Sequence, residues 1–306
     1  MNTSKSVNEY ISELKSENKK VRYTAYLMIA VLVMVLAVSV LKQFYITLAL
    51  LVAALFLQLF VFRRFQKDYV RNCENANISL TTLKKINASE IEEKGTSVDE
   101  SMVKSAHIFP FVEKTFAVFK SIKGSKDNTV ISSSDITVVE RKNDKGIAAE
   151  VSTGNWSHLE LPKNTGVKAV IVEDELMSEA ARKSFFDVSG YKEAELPEGF
   201  PKRFHLYITS CKSGDNEAAG AASDGFDDTA KSSGLPNDSF LNKVKALSDY
   251  TPGKIGVSVS ENTVDVFIKN RFLAAGFSSK FEPDEKTLMR DPYPELTHIA
   301  DLAQYL

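Results

Sequence analysis

Residues 24–64 read TAYLMIAVLVMVLAVSVLKQFYITLALLVAALFLQLFVFRR, and whether this stretch is a buried core, a cleaved export signal or a membrane anchor decides the organisation of all that follows. From Ala25 to Leu41 there is no charge, and only Tyr26 and Ser39 are polar. Lys42-Gln43-Phe44 interrupts, and Tyr45 to Phe62 is again uncharged. A spanning helix needs about 20 apolar residues, with about 17–25 tolerated. The flanking rings Tyr23, Tyr26, Phe44, Tyr45, Phe60 and Phe62 are of the kind that prefer the membrane–water interface.

Both runs are apolar all round rather than along one stripe, as contact with lipid demands. A pair of core helices would need a shell of other elements and would carry polar positions. Ala37-Val38-Ser39 resembles a small-x-small cleavage site, but a signal peptide has an apolar region of about 7–15 residues and no second run directly behind it. Cleavage there would still leave one span. The stretch therefore reads as a transmembrane helical hairpin over 24–64.

Basic residues orient it. Lys15, Lys19, Lys20 and Arg22 precede the first run, Arg63, Arg64, Lys67 and Arg71 follow the second, and the connection holds only Lys42. Positive charge stays on the cytoplasmic side, so both termini are expected inside, in a multi-pass protein of the cell membrane. Lys19, Lys20, Arg22, Arg63, Arg64 and Lys67 suit contact with anionic lipid. Neither run contains an ionisable residue, and Gln58 is the only amide. Pores and proton relays usually place charge inside the membrane, so the hairpin reads as an anchor.

The whole chain averages out this segregation. Its 306 residues are 43% hydrophobic and 25% charged, with 38 basic against 40 acidic side chains and a formal charge of −2. No overall field favours nucleic acid. Cys73 and Cys211 lie outside any metal-like spacing, and a reducing compartment is the simpler reading. Ahead of the membrane, Ser6-Val7-Asn8-Glu9 forms a capping box, and Val7, Tyr10, Ile11 and Leu14 repeat at helical spacing. Residues 1–23 are thus expected to be a short cytosolic amphipathic helix. It would oligomerise, lie on the membrane, or pack on its own soluble domain or on the extension of the second span.

Residues 65–306 read as an α+β domain, an antiparallel sheet with packed helices. Gln66–Lys94 is helix-like, with Leu80, Leu83 and Ile86 as a stripe. In SMVKSAHIFPFVEKTFAVFKSIK, residues 101–123, Pro110 breaks any helix, and Phe109, Phe111, Phe116 and Phe119 are expected core anchors. TVISSSDITVVE, GIAAEV, WSHLELP, VKAVIVED and RFHLYITS are strand-like runs divided by turn residues. Residues 213–236, small and acidic, cannot bury enough surface to order themselves and are expected to form a mobile loop. Asn237-Asp238 caps a helix through Phe240, Leu241, Val244 and Leu247. KIGVSVS and NTVDVFIKN form a hairpin turning at Glu261-Asn262, and ELTHIADLAQYL is a closing helix.

The order of these pieces resembles a family of bacterial membrane proteins catalogued as domain of unknown function 3137. The similarity lies in the hydrophobic pair followed by basic residues, SAHIFP at 105–110, VKAVIVED, the FFDV–YKEAEL segment with RFHLYIT after it, GVSVSENTVDVFIKN, and FEP at 281–283. Together these cover most of 24–306, while 111–160 matches poorly and 213–236 looks like an insertion. The resemblance implies a two-span protein with a cytosolic α+β domain and brings no catalytic residues.

Chemistry is sparse. His107, His158, His205 and His298 lie in different elements, with no paired-His spacing. His158 and Glu160 share a strand face, a possible two-ligand metal pair without a third member. The acidic cluster Glu173-Asp174-Glu175 follows an apolar strand, where many α/β sites place carboxylates. Equally, it reads as a strand end running into the first turn of a helix, whose dipole favours acids. Ser12-x-x-Lys15 and Ser101-x-x-Lys104 match a serine–lysine spacing by chance. No cofactor and no metal are expected. The expectation is a membrane-anchored, non-enzymatic scaffold or regulator acting through protein–protein contact. The alternatives are a tethered enzyme using Glu173, Asp174, Glu175 or His158, or a transporter or channel subunit.

Overall fold

The computed structural model describes residues 5–41, 44–93, 95, 97–110, 113–141, 148–209 and 235–306. The hairpin tip at Lys42-Gln43, Phe111, Cys211 and the acidic segment 213–236 up to residue 234 lie outside the described residues.

The chain divides into two compact units, Met1–Thr82 with Ala274–Pro292, and Leu83–Leu273 with Tyr293–Leu306. The first unit is helical. Helix α1 spans Val7–Val40, 34 residues, or about 51 Å at 1.5 Å per residue. Ser6 caps it, with Glu9 completing the expected capping box. The segment expected as a separate helix over 1–23 therefore runs unbroken into the first apolar run, because nothing between Arg22 and Ala25 breaks the backbone.

The second apolar run begins as α2, Phe44–Phe56, widens into a π-helical turn at Leu57–Phe62, and continues as α3, Arg63–Leu80. Both helices are long and apolar enough to cross a membrane. Their large apolar side chains face outward, with Leu36 68% and Val52 60% exposed. Beyond the apolar runs, α1 and α3 pack on each other through Leu14, Val21, Tyr69, Cys73, Ala76 and Leu80. Leu14, Asn18, Val21 and Thr24 are the buried positions of α1 there, a spacing of three and four that keeps one face inward.

The second unit is α+β. Among its described residues are β1 (Ile91–Glu93), α4 (Glu100–Ser105), β2 (Ala117–Lys126), β3 (Thr129–Arg141), β4 (Ala148–Glu160), β5 (Lys168–Glu173) and α5 (Glu179–Val188). They continue with β6 (Tyr191–Ala194), β7 (Phe204–Thr209), α6 (Asp238–Tyr250), β8 (Ile255–Ser260) and β9 (Thr263–Lys269). A short α7, Glu285–Leu288, belongs to the first unit, and α8, Glu295–Leu302, closes the second. The strands make one antiparallel sheet ordered β1-β2-β3-β4-β9-β8-β5-β7-β6.

Register decides the faces. Ile136, Val138, Trp156, Phe267, Val170, Val172 and Tyr207 look to one side, where Val98, Val103, Ile108, Phe109, Leu176, Met177 and Phe186 close the core over them. Gly256 makes this possible, since a Cβ there would lie 2.3 Å from Ile108 Cγ2. The other side carries Ile131, Leu159, Val264, Val266, Val257 and Ile171, all buried. Helices α6 and α8 pack together, burying Phe240, Leu241, Val244, Leu247, Leu296 and Ile299.

Two readings of the sequence change. The Ser101–Lys123 stretch ends in strand β2, and Phe119, expected in the core, is 56% exposed there, while Phe109 is buried. GIAAEV and WSHLELP are not two strands but one, β4, because Gly154 between them sits in the ladder opposite Ile136 and Lys269.

Candidate functional site

The acidic cluster sits where β5 ends; Glu173 and Glu175 both reach Lys254, at 3.7 and 3.4 Å, while Asp174 goes elsewhere. Glu173 is 4% exposed. Its Oε1 pairs with Arg203 Nε at 3.0 Å and its Oε2 accepts from the Ile255 N–H at 3.2 Å. Alternation along the strand sends Asp174 elsewhere. Its Oδ1 takes the Arg182 guanidinium at 2.8 Å and His205 Nε2 at 2.9 Å. Burial pushes the Asp174 carboxyl up, but hydrogen bonds from Arg182 and His205 outweigh it and hold the group below its ordinary value. Glu175 is exposed in the left-handed region at φ 69°, with Lys254 at 3.4 Å. These residues are not the first turn of a helix. α5 starts only at Glu179, capped by Ser178, because the turn at Glu175 first redirects the chain.

His158 is buried on β4 beside Asp265 of β9, its register partner. Asp265 Oδ1 lies 2.8 Å from His158 Nδ1 and accepts from Trp156 Nε1 at 2.8 Å. Burial alone would lower the His158 imidazole, yet the Asp265 hydrogen bond and charge prevail and raise it above the ordinary histidine value. Glu160, two residues on, is exposed, and its charge adds to that of Asp265 in raising the ring. Among the described residues no group of three or more His, Cys, Asp or Glu side chains is arranged to hold a metal ion.

No protein-family model, curated protein or solved structure matches this chain.

A third constellation, in the helical unit, was not read from the sequence. The segment Ala274–Pro292 leaves the sheet after Leu273 and lies along α1 and α3. Asn18 of α1 and Tyr69 of α3 both donate to the Phe281 carbonyl, at 3.2 and 2.6 Å. Gln66 bonds Ser279, and Arg22 pairs with Glu282. Lower down, the buried Asn77 donates to the carbonyls of Leu288 and Arg290 at 2.8 and 2.9 Å and accepts from the Ala275 N–H at 3.3 Å. Three of an amide's capacities are thereby used on one crossing segment. Polar residues at 18, 66, 69 and 77 on helices otherwise packed by apolar contacts were the available signal, though their partners lie 198 or more residues away.

Beside this clasp, Lys15, Asn18, Lys19, Arg22, Glu282, Pro283 and Asp284 line an open cavity of about 460 Å³. Asp284 caps α7, accepting from the Thr287 N–H and hydroxyl, and those bonds hold its carboxyl below the ordinary value. The buried Cys73 thiol is pushed up to about 11 by desolvation. These groups hold elements together and offer cations at one rim. None of the three constellations sets a nucleophile against a base.

Proposed function

We propose that the chain is a two-span protein of the cell membrane, with the flanks of the hairpin and the α+β unit on the cytoplasmic side. On this reading the α+β unit acts through protein–protein contact, as a scaffold or regulator. The observation that carries the anchor is the outward face of the helix pair. Apolar side chains from Leu27 to Leu41 and from Phe44 to Phe60 stand open, and in water that exposure would be costly at about 25 cal/mol per Å². Lipid removes the cost. The concentration of lysine and arginine at both outer ends supports the orientation. The resemblance to the bacterial two-span family points the same way.

The non-enzymatic part of the proposal draws on the site geometry. The acidic residues and His158 are each engaged by structural partners: Glu173 and Glu175 share Lys254, and Asp174 and His158 have partners of their own. The test is fractionation of the full chain. It should remain in the membrane pellet through an alkaline carbonate wash, and protease added outside intact cells should leave the α+β unit whole. Recovery in the supernatant without detergent refutes the anchor, and digestion from outside refutes the orientation.

A further inference from the structure

The basic rim of the cavity beside the clasp has a depth that can be read from the helix. Arg22, Lys19 and Lys15 lie 3, 6 and 10 residues before Ala25, or about 4.5, 9 and 15 Å outside the apolar run at 1.5 Å per residue. The headgroup layer occupies roughly 5–8 Å on each side of the hydrocarbon. Arg22 therefore sits within reach of this layer and Lys19 at its outer edge, with Lys15 one turn further out. Tyr23 and Tyr26, both exposed, mark the same boundary from the apolar side.

The lining carries a net positive charge, with Lys15, Lys19 and Arg22 set against Glu282 and Asp284. Glu282 pairs with Arg22, while Asp284 stays ionised and is held by its cap hydrogen bonds at Thr287. Among the described residues, Lys15 and Lys19 have no ion-pair partner. They stand at i and i+4 on one helix face, where like charges repel. Pro283 is buried at the wall of the cavity, and the Phe281 carbonyl beside it is fixed by Asn18 and Tyr69. The two sides are thus held independently of any ligand.

We propose that this cavity is a binding site for the headgroup of an anionic glycerophospholipid, with the phosphate at Lys19, the outer end of the headgroup toward Lys15 and the acyl chains lying along the exposed apolar face of α1. The proposal rests on the membrane anchor proposed above. A fixed cavity of this volume falls in the range of small-ligand sites. A basic pocket on the cytoplasmic side of membrane helices is suited to such headgroups.

The full chain, purified in a mild detergent, would be titrated with dioleoyl phosphatidylglycerol or dioleoyl phosphatidylcholine, and retained lipid counted by native mass spectrometry. The pocket variant is Lys15→Gln with Lys19→Gln. The control, Arg63→Gln with Lys67→Gln, removes equal charge outside the cavity, closer to the apolar run. The expected result is retention of phosphatidylglycerol by the parent and the control, and at least about tenfold weaker retention by the pocket variant, at about 1 kcal/mol per interfacial charge. Equal weakening of both variants, or equal retention of phosphatidylcholine, would overturn the site while leaving the anchor intact. Competition by soluble glycerol phosphate at comparable concentration would overturn the lipid as occupant. A chain that needs no detergent would refute anchor and site together.

Discussion

The Tyr69 hydroxyl donates to the main-chain carbonyl of Phe281 at 2.6 Å across 212 residues of sequence, and Asn18 donates to the same oxygen at 3.2 Å. One carbonyl thus joins α1, α3 and the segment that returns between Leu273 and Tyr293. A carbonyl oxygen has two lone pairs, and here both are engaged.

Removing these donors should loosen the returning segment in proportion to what is left unpaired. Tyr69→Phe should cost about 1 kcal/mol, the net worth of one hydrogen bond, because Asn18 still serves the carbonyl. Asn77→Ala strands two carbonyls and one N–H and should cost about 2–3 kcal/mol. Thermal unfolding of the purified chain ranks the two, and limited proteolysis should show earlier cutting within 274–292 for Asn77→Ala.

Cys73 has no exposed surface and its thiol is raised to about 11 by burial. The thiolate is the reactive species. In the folded chain with Cys211 replaced by Ser, a thiol-reactive dye at pH 8 should label Cys73 only after denaturant is added. Rapid labelling of the native protein would mean that the α1–α3 contact opens readily.

His158 gives stability a pH dependence. Its folded-state value is raised by Asp265, so the fold favours the protonated ring. That contribution is complete below the unfolded value of about 6.5 and is lost as pH rises through the higher folded value. The unfolding midpoint should therefore carry a component that falls over this interval, followed by Trp156 fluorescence because the indole shares Asp265. Asp265→Asn should remove that component, and an unchanged profile in this variant would contradict the assignment.

Glu173 separates a structural role from a catalytic one. Replacement by Ala leaves the buried Ile255 N–H without its acceptor, while Arg203 keeps its pair with Asp249, which should cost about 1–3 kcal/mol. A marked fall in the unfolding midpoint is expected. Lost function with unchanged stability would instead favour the tethered-enzyme reading.

Gly154 lies where β4 passes close to β9. An added Cβ would sit 2.3 Å from the Ile268 carbonyl oxygen, and backbone cannot step aside as a side chain can. Gly154→Ala should destabilise the sheet by about 1–3 kcal/mol, measured by denaturant unfolding. Gly199→Ala meets no atom within 4 Å but carries φ 82°, so its smaller loss would come from backbone strain alone.

Local chemistry was legible from the residues alone. Two uncharged runs determined two long apolar helices, Ser6 and Glu9 the start of α1, and Asn237 the cap of α6, because each depends on neighbours within a few positions. The alternation in GVSVS and TVDVFIK likewise determined the β8–β9 hairpin. Tertiary structure alone decided what lies far apart in sequence. It placed Asp265 against His158 and turned Glu173 and Asp174 to different partners. It carried β4 straight through Gly154 and brought 274–292 back onto α1 and α3. Helix and turn preferences are written into short stretches of chain, whereas strand order, face and the partner of a buried polar group are settled only when distant segments compete for the same buried space.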